Sequence, residues 1–95
     1  MTTQVGVYFS HMIDCETNPD LTTKKEVIAA VKAMTSNKLT NISYEVEGEG
    51  WTLYFTEIVV VEVPDDTECL SYCDEVQNAQ PSIKGGECTT ARRIK

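Results

Sequence analysis

From residue 39 to residue 83 the chain has no lysine and no arginine. The same 45 residues hold ten acids: Glu45, Glu47, Glu49, Glu57, Glu62, Asp65, Asp66, Glu68, Asp74 and Glu75. Other absences narrow the field further. The start, "MTTQVGVYFSH", has neither a basic leader region nor a long apolar run, so it does not read as a secretory signal. No uncharged apolar run, Ile58 to Val61 included, approaches the roughly 20 residues that cross a bilayer. These features predict a protein of the cytoplasm with no membrane partner. There is no C-x2-C knuckle, no D-x-[DN]-x-[DN]-G calcium loop, no internal repeat and no low-complexity segment. Direct nucleic-acid binding is not expected, because phosphate contacts need clustered Lys and Arg.

What remains is an ordinary globular composition, 41% hydrophobic and 24% charged, over 95 residues. That length predicts one small domain, 1–95, with little spare stability. The net charge of −7 is unevenly placed. Residues 1–38 balance four acids against four bases, and residues 84–95 set Glu87 against Lys84, Arg92, Arg93 and Lys95. The tail "ARRIK" reads as a solvated terminus.

Periodicity supplies the elements. In "TQVGVYFS", Val5, Val7 and Phe9 alternate with Gln4, Gly6 and Tyr8, which predicts a strand. In "DLTTKKEVIAAVKAMTSNK", Val27, Val31 and Met34 form one helical stripe beside Ile28 and Ala30. Thr23 stands three residues before Glu26, as in a capping box, and Asp20 is a rival N-cap. Asn37 is the expected C-terminal stop. "TNISYEVE" places Ile42, Tyr44 and Val46 inward, and "GEG" predicts a tight hairpin. In "WTLYFTEIVVVEV", Trp51, Leu53, Phe55, Val59, Val61 and Val63 share a face that Glu57 interrupts, so a bulge or bend is expected near Thr56–Glu57. Pro64 ends this strand. "DDTECLSYCDEVQNA" predicts a short second helix with Leu70, Cys73 and Val76 on its apolar side. From about 77 the chain reads as loop, with one short strand near Cys88. The expected fold is α+β: an antiparallel sheet of about three strands in β-α-β-β order, one helix on one face, and the other face open and partly acidic.

Three chemistries compete for these residues. Cys69, Cys73 and Cys88, completed by either Cys15 or His11, could hold zinc in an interaction module, through three thiolates and an imidazole or through four thiolates. Four cysteines also allow three disulfide pairings, which a reducing cytosol opposes. The plainer expectation is free thiols packed as small hydrophobes, with no cofactor. A Cys15–His11 nucleophile lacks a visible third member or oxyanion loop, and a Glu45/Glu47 glycosidase pair lacks room for a sugar cleft. No enzyme is expected.

The acids give the leading expectation. A merely solubilising surface mixes signs, and like charges crowded in a small domain cost stability. Glu45 and Glu47 point the same way on a strand, about 6.7 Å apart. DNA presents a phosphate every ~3.4 Å along each strand, so carboxylates on strands and loops can copy such a row. In size, in acidity and in the run from Glu45 to Glu75, the chain resembles the small phage-encoded inhibitors, the DNA mimics and anti-CRISPR proteins. That resemblance implies a non-catalytic inhibitor whose acidic face occupies the basic surface of a host nucleic-acid-binding complex, such as a CRISPR surveillance complex. It leaves the oligomeric state open. Trp51 is expected in the core, and Tyr44 and Tyr54 are expected to pack across paired strands.

Overall fold

The computed structural model describes residues 1–94. Strand β1 runs Thr2–Asp14, helix α1 Lys24–Met34, β2 Lys38–Glu47 and β3 Gly50–Pro64. A single 3-10 turn, Leu70–Tyr72, leads into the short helix α2, Asp74–Gln77, and then into β4, Glu87–Arg93. The four strands form one antiparallel sheet in the order β2-β3-β1-β4. This is the expected α+β class with one strand more than expected. The element order differs accordingly, because the chain continues past β3 to a strand on the outer edge of β1. Arg92 and Arg93 therefore belong to the sheet rather than to a loose tail.

The sheet is long because β1 and β3 are long. All thirteen residues of β1 pair with β3 in an unbroken register, from Thr2 opposite Pro64 to Asp14 opposite Thr52. The described residues measure 50 × 19 × 18 Å along their principal axes, a bar rather than a sphere. β2 joins β3 through a two-residue loop in which Gly48 takes the left-handed φ of 61° that an L side chain resists.

No bulge forms at Thr56–Glu57. The irregularity lies on the partner strand, where Asn41 and Ile42 of β2 together face Phe55, and Asn41 has a φ of 54°. This slip explains why Ile42 is exposed while Tyr44 packs inward. Val46 is also exposed, because nothing described covers the inner face so close to the hairpin.

Helix α1 starts as its sequence demands. Thr23 Oγ1 accepts from the Glu26 N–H at 3.2 Å and donates to Glu26 Oε1 at 2.9 Å. Asp20 takes no part in this cap, and the helix ends at Thr35 rather than at Asn37. Val27 and Val31 are buried, but Met34 is half exposed. The expected second helix is broken into the 3-10 turn and the single turn of α2, neither with a side-chain cap.

Both helical segments lie on one face of the sheet and divide the core in two. Under α1, Val27 and Val31 pack with Trp51, Leu53, Phe55 and Ile83. Under α2, Val76 packs with Val5, Val7, Phe9 and Val63. Burying each such side chain contributes about 1.5–3 kcal/mol. Between the two clusters, on the same face, sit His11 and Glu57. Among the described residues, no helix covers the opposite face of the sheet.

Candidate functional site

The acids of the central run do not share one face. Glu45 and Glu47 point outward near the hairpin, and Glu49 forms its tip; all three are exposed. Asp14 sits beside them, opposite Thr52, and Glu16 follows. Glu62, Asp65, Asp66, Glu68, Asp74 and Glu75 are exposed at the other end. Fourteen strand steps from Gly50 to Pro64, at about 3.3 Å each, put about 46 Å between the two groups. The continuous acidic face expected from the sequence is therefore two acidic ends. Among the described residues, none of these exposed acids forms an ion pair with a Lys or Arg. Arg93 turns toward the second group, but its guanidinium donates to the Thr67 carbonyl. Glu75 accepts from the Cys73 thiol at 2.6 Å, and this bond holds its carboxyl below the usual glutamate range.

Glu57 corrects the expected surface in another way. It is fully buried and cannot touch a partner. Its Oε1 accepts from His11 Nε2 at 3.0 Å and from the Ile83 N–H at 3.3 Å. Its Oε2 accepts from Asn37 Nδ2 at 2.8 Å, the Ser82 N–H at 2.9 Å and Thr35 Oγ1 at 3.1 Å. Burial pushes the Glu57 carboxyl up, but the donors from Asn37, Ser82, Ile83 and Thr35 outweigh it and hold the carboxyl below its ordinary value. An ionised carboxylate only accepts, so the proton of the His11–Glu57 bond resides on Nε2. The His11 ring stacks on Phe55, with centroids 4.8 Å apart and planes 9° apart. Gly86 covers it so closely that a Cβ there would lie 2.5 Å from His11 Cε1. This assembly ties the end of α1, β1, β3 and the 82–86 loop together. It resembles a catalytic dyad in composition, yet its groups are consumed in bonds to each other inside the core.

The cysteines are not assembled into a site. Cys15 packs with the α1 cluster near Trp51, and Cys73 packs with the α2 cluster at the other end of the sheet. Cys69 and Cys88 are exposed, and all four thiols are free. No group of three or more potential metal ligands converges among the described residues. His11, the alternative ligand, is bound to Glu57 and lies about 13 Å along the strand from Cys15. The Cys15–His11 nucleophile meets the same objection.

The aromatics also fall differently from expectation. Trp51 is buried, as expected, and its Nε1–H donates to the Leu21 carbonyl at 2.8 Å. Tyr44 stacks on Trp51 at 6.1 Å, on the inner face. Tyr54 pairs with Ser43 and points to the open face, so the two tyrosines do not meet. Two features escaped the sequence reading. One is the His11–Glu57 assembly, whose sole trace is a carboxylate on an apolar face. The other is an apolar band on the open face, where Tyr8, Met12, Tyr54, Ile58 and Val60 occupy outward positions of the adjacent strands β1 and β3. No helix among the described residues is long and apolar enough to cross a membrane. No family model, no curated protein and no solved structure matches this chain.

Proposed function

We propose that this chain is a non-catalytic binding protein that inhibits a nucleic-acid-processing complex by occupying its Lys/Arg-rich surface. The observation that carries this reading is the pair of acidic ends, exposed and, among the described residues, without internal cationic partners, held about 46 Å apart by one sheet. Free carboxylates on a stiff frame keep their charge available for a partner, and the ordered sheet loses little backbone entropy when it arrives. The separation equals about 13–14 phosphate steps along a DNA strand at ~3.4 Å each, so the two ends suit two basic patches along one channel. Glu45, Glu47 and Glu49 would engage one patch, and Asp65, Asp66 and Glu68 the other. Association would be fast and salt-sensitive. The target class is a host nucleic-acid-binding complex in the cytoplasm, with a CRISPR surveillance complex as the specific candidate.

The test is capture of partners from bacterial lysate with the tagged protein, with and without excess duplex DNA. Capture of a nucleic-acid-binding complex that DNA displaces supports the reading. Reversal of Glu45, Glu47 and Glu49 to Lys should then abolish capture. A folded reversed variant that still captures the complex, or a partner indifferent to DNA, would refute mimicry.

A further inference from the structure

The open face of the sheet carries a pattern that is complementary to itself. At its middle, Thr40, Thr56 and Ser10 lie side by side on β2, β3 and β1. Two residues toward the hairpin stand Tyr54 and Met12; two residues the other way stand Ile58 and Tyr8. Four residues toward the hairpin, the same row carries Asp14 and Glu45 beside Thr52. Four residues the other way it carries Val60, Gly6 and Arg92. Lys38 joins the row of Ile58. Apolar residues thus flank the centre at equal distances, and in the rows four residues out the charge is negative on one side and positive on the other, before Glu47 and Glu62 follow at the two ends.

The apolar part is well exposed: Met12 at 59%, Val60 at 51% and Tyr54 at 41%. A contiguous exposed apolar patch with a charged rim marks an interaction surface. Arg92 lies 5.5 Å over the Tyr8 ring, which fixes its charge on this face. Gly6 lets the neighbouring side chains close in. A Cβ there would lie 3.1 Å from Ile58 Cγ2 and 3.3 Å from both Ile94 Cδ1 and Tyr8 Cε1.

We infer that this face binds a second copy of the same chain, in a two-fold sandwich whose axis crosses the strands at Thr40, Thr56 and Ser10. An axis in that direction reverses the strands and lays each strand over its own copy. Tyr54 and Met12 of one protomer then meet Ile58 and Tyr8 of its partner. Glu45 comes within a lysine's reach of Lys38 across the interface, and Asp14 lies over the partner's Gly6, one strand from its Arg92. Each contact occurs twice, as an isologous interface requires. Sheets packed in this way lie about 10 Å apart with strands within about 30° of each other, which long side chains such as Tyr and Met fill. Glu87 lies in the axis row beside Ser10 and meets its own copy at the edge strand, and Glu62 comes near the partner's Glu47 beyond the apolar band; all are exposed, so water screens these approaches. The segment from Asp65 to Glu75 stays free at both ends of the assembly. The inference therefore goes beyond the proposed inhibition and does not depend on it; it draws Glu45 into the dimer and leaves Glu49 and the acids from Asp65 to Glu75 exposed for a target.

Sedimentation velocity of the full chain over a concentration series reads the outcome. The expected mass is twice the 10.6 kDa of one chain. Tyr54→Lys and Met12→Lys should each raise the dimer dissociation constant at least tenfold with the circular dichroism spectrum unchanged. Both residues are exposed and lie outside the acidic ends, so DNA-sensitive capture can succeed or fail independently. Lys38→Glu should also dissociate the dimer, and Glu45→Lys added to it should restore it. A chain that is monomeric throughout overturns the inference. So does a dimer untouched by Tyr54→Lys and Met12→Lys, or a charge swap that fails to restore association.

Discussion

Replacing Glu57 with Ala should cost this domain a large share of its stability. The carboxylate accepts five hydrogen bonds, and their donors differ in what they can do without it. Those of His11 and Ile83 are buried, whereas Thr35, Asn37 and Ser82 are half-buried or exposed and can turn to water. A stranded buried donor costs about 1–3 kcal/mol, so the two buried ones together cost about 2–6 kcal/mol. We therefore expect a loss of about 4 kcal/mol, out of the roughly 5–14 kcal/mol that ~0.05–0.15 kcal/mol per residue allows a chain of this length. Urea denaturation measures it: at an m-value near ~2 kcal/mol/M, the midpoint should fall by about 2 M. Glu57→Gln should lose less but still lose, because its amide N–H groups would face donors. Glu49→Ala, at the exposed hairpin tip, is the control and should stay within about 0.5 kcal/mol. If Glu57→Ala costs no more than Glu49→Ala, the carboxylate is not holding the two halves of the core together.

Acidification should act on the same group. The folded Glu57 carboxyl titrates below its ordinary value, so the unfolded chain binds that proton more readily. Its contribution is then fully present above the ordinary carboxyl pKa and is lost as pH falls through that value toward the lower folded one. Stability measured from about pH 5 downward should decline, and Glu57→Gln should decline less steeply. Gly86→Ala should displace the His11 ring and lower the melting temperature, and in a His11→Ala background the same change should cost far less. Thr23→Ala removes the acceptor for the Glu26 N–H and should cost about 1 kcal/mol by denaturant titration, with little effect on the open face.

The elements that were legible in the sequence are those specified by near neighbours. The alternation of Val5, Val7 and Phe9, the glycine at the hairpin and the Thr23–Glu26 cap each encode a local geometry, and each formed. β4 was not legible as a full strand because its segment, "ECTTARR", has almost no apolar face to alternate. It is held by backbone pairing with the edge of β1, which any sequence can supply.

Glu57 shows where a correct signal leads to a wrong structure. A carboxylate among inward positions is a real conflict, and it can be relieved in two ways. The strand can bulge and turn the charge out, or donors can be brought to it. Which occurs depends on groups remote in the chain: Thr35 and Asn37 lie 22 and 20 residues before Glu57, and Ser82 and Ile83 lie 25 and 26 after it. No local pattern announces that convergence. The acidic run fails as a single surface for a related reason. Ten acids within 31 residues look adjacent, but fifteen of those residues form β3. A strand advances about 3.3 Å per residue, more than twice the rise of a helix, so charges that are close in sequence are carried to opposite ends of the molecule. The same extension places Asp14 and Glu45 two open-face rows from the hydroxyl-bearing centre, with Arg92 two rows the other way. A charge pattern that reads as one block along the chain thus becomes two acidic ends on the sheet, and only the rows between them, with Asp14 and Glu45 on one side of the centre and Arg92 and Lys38 on the other, carry a polarity that a second copy can match by reversing direction.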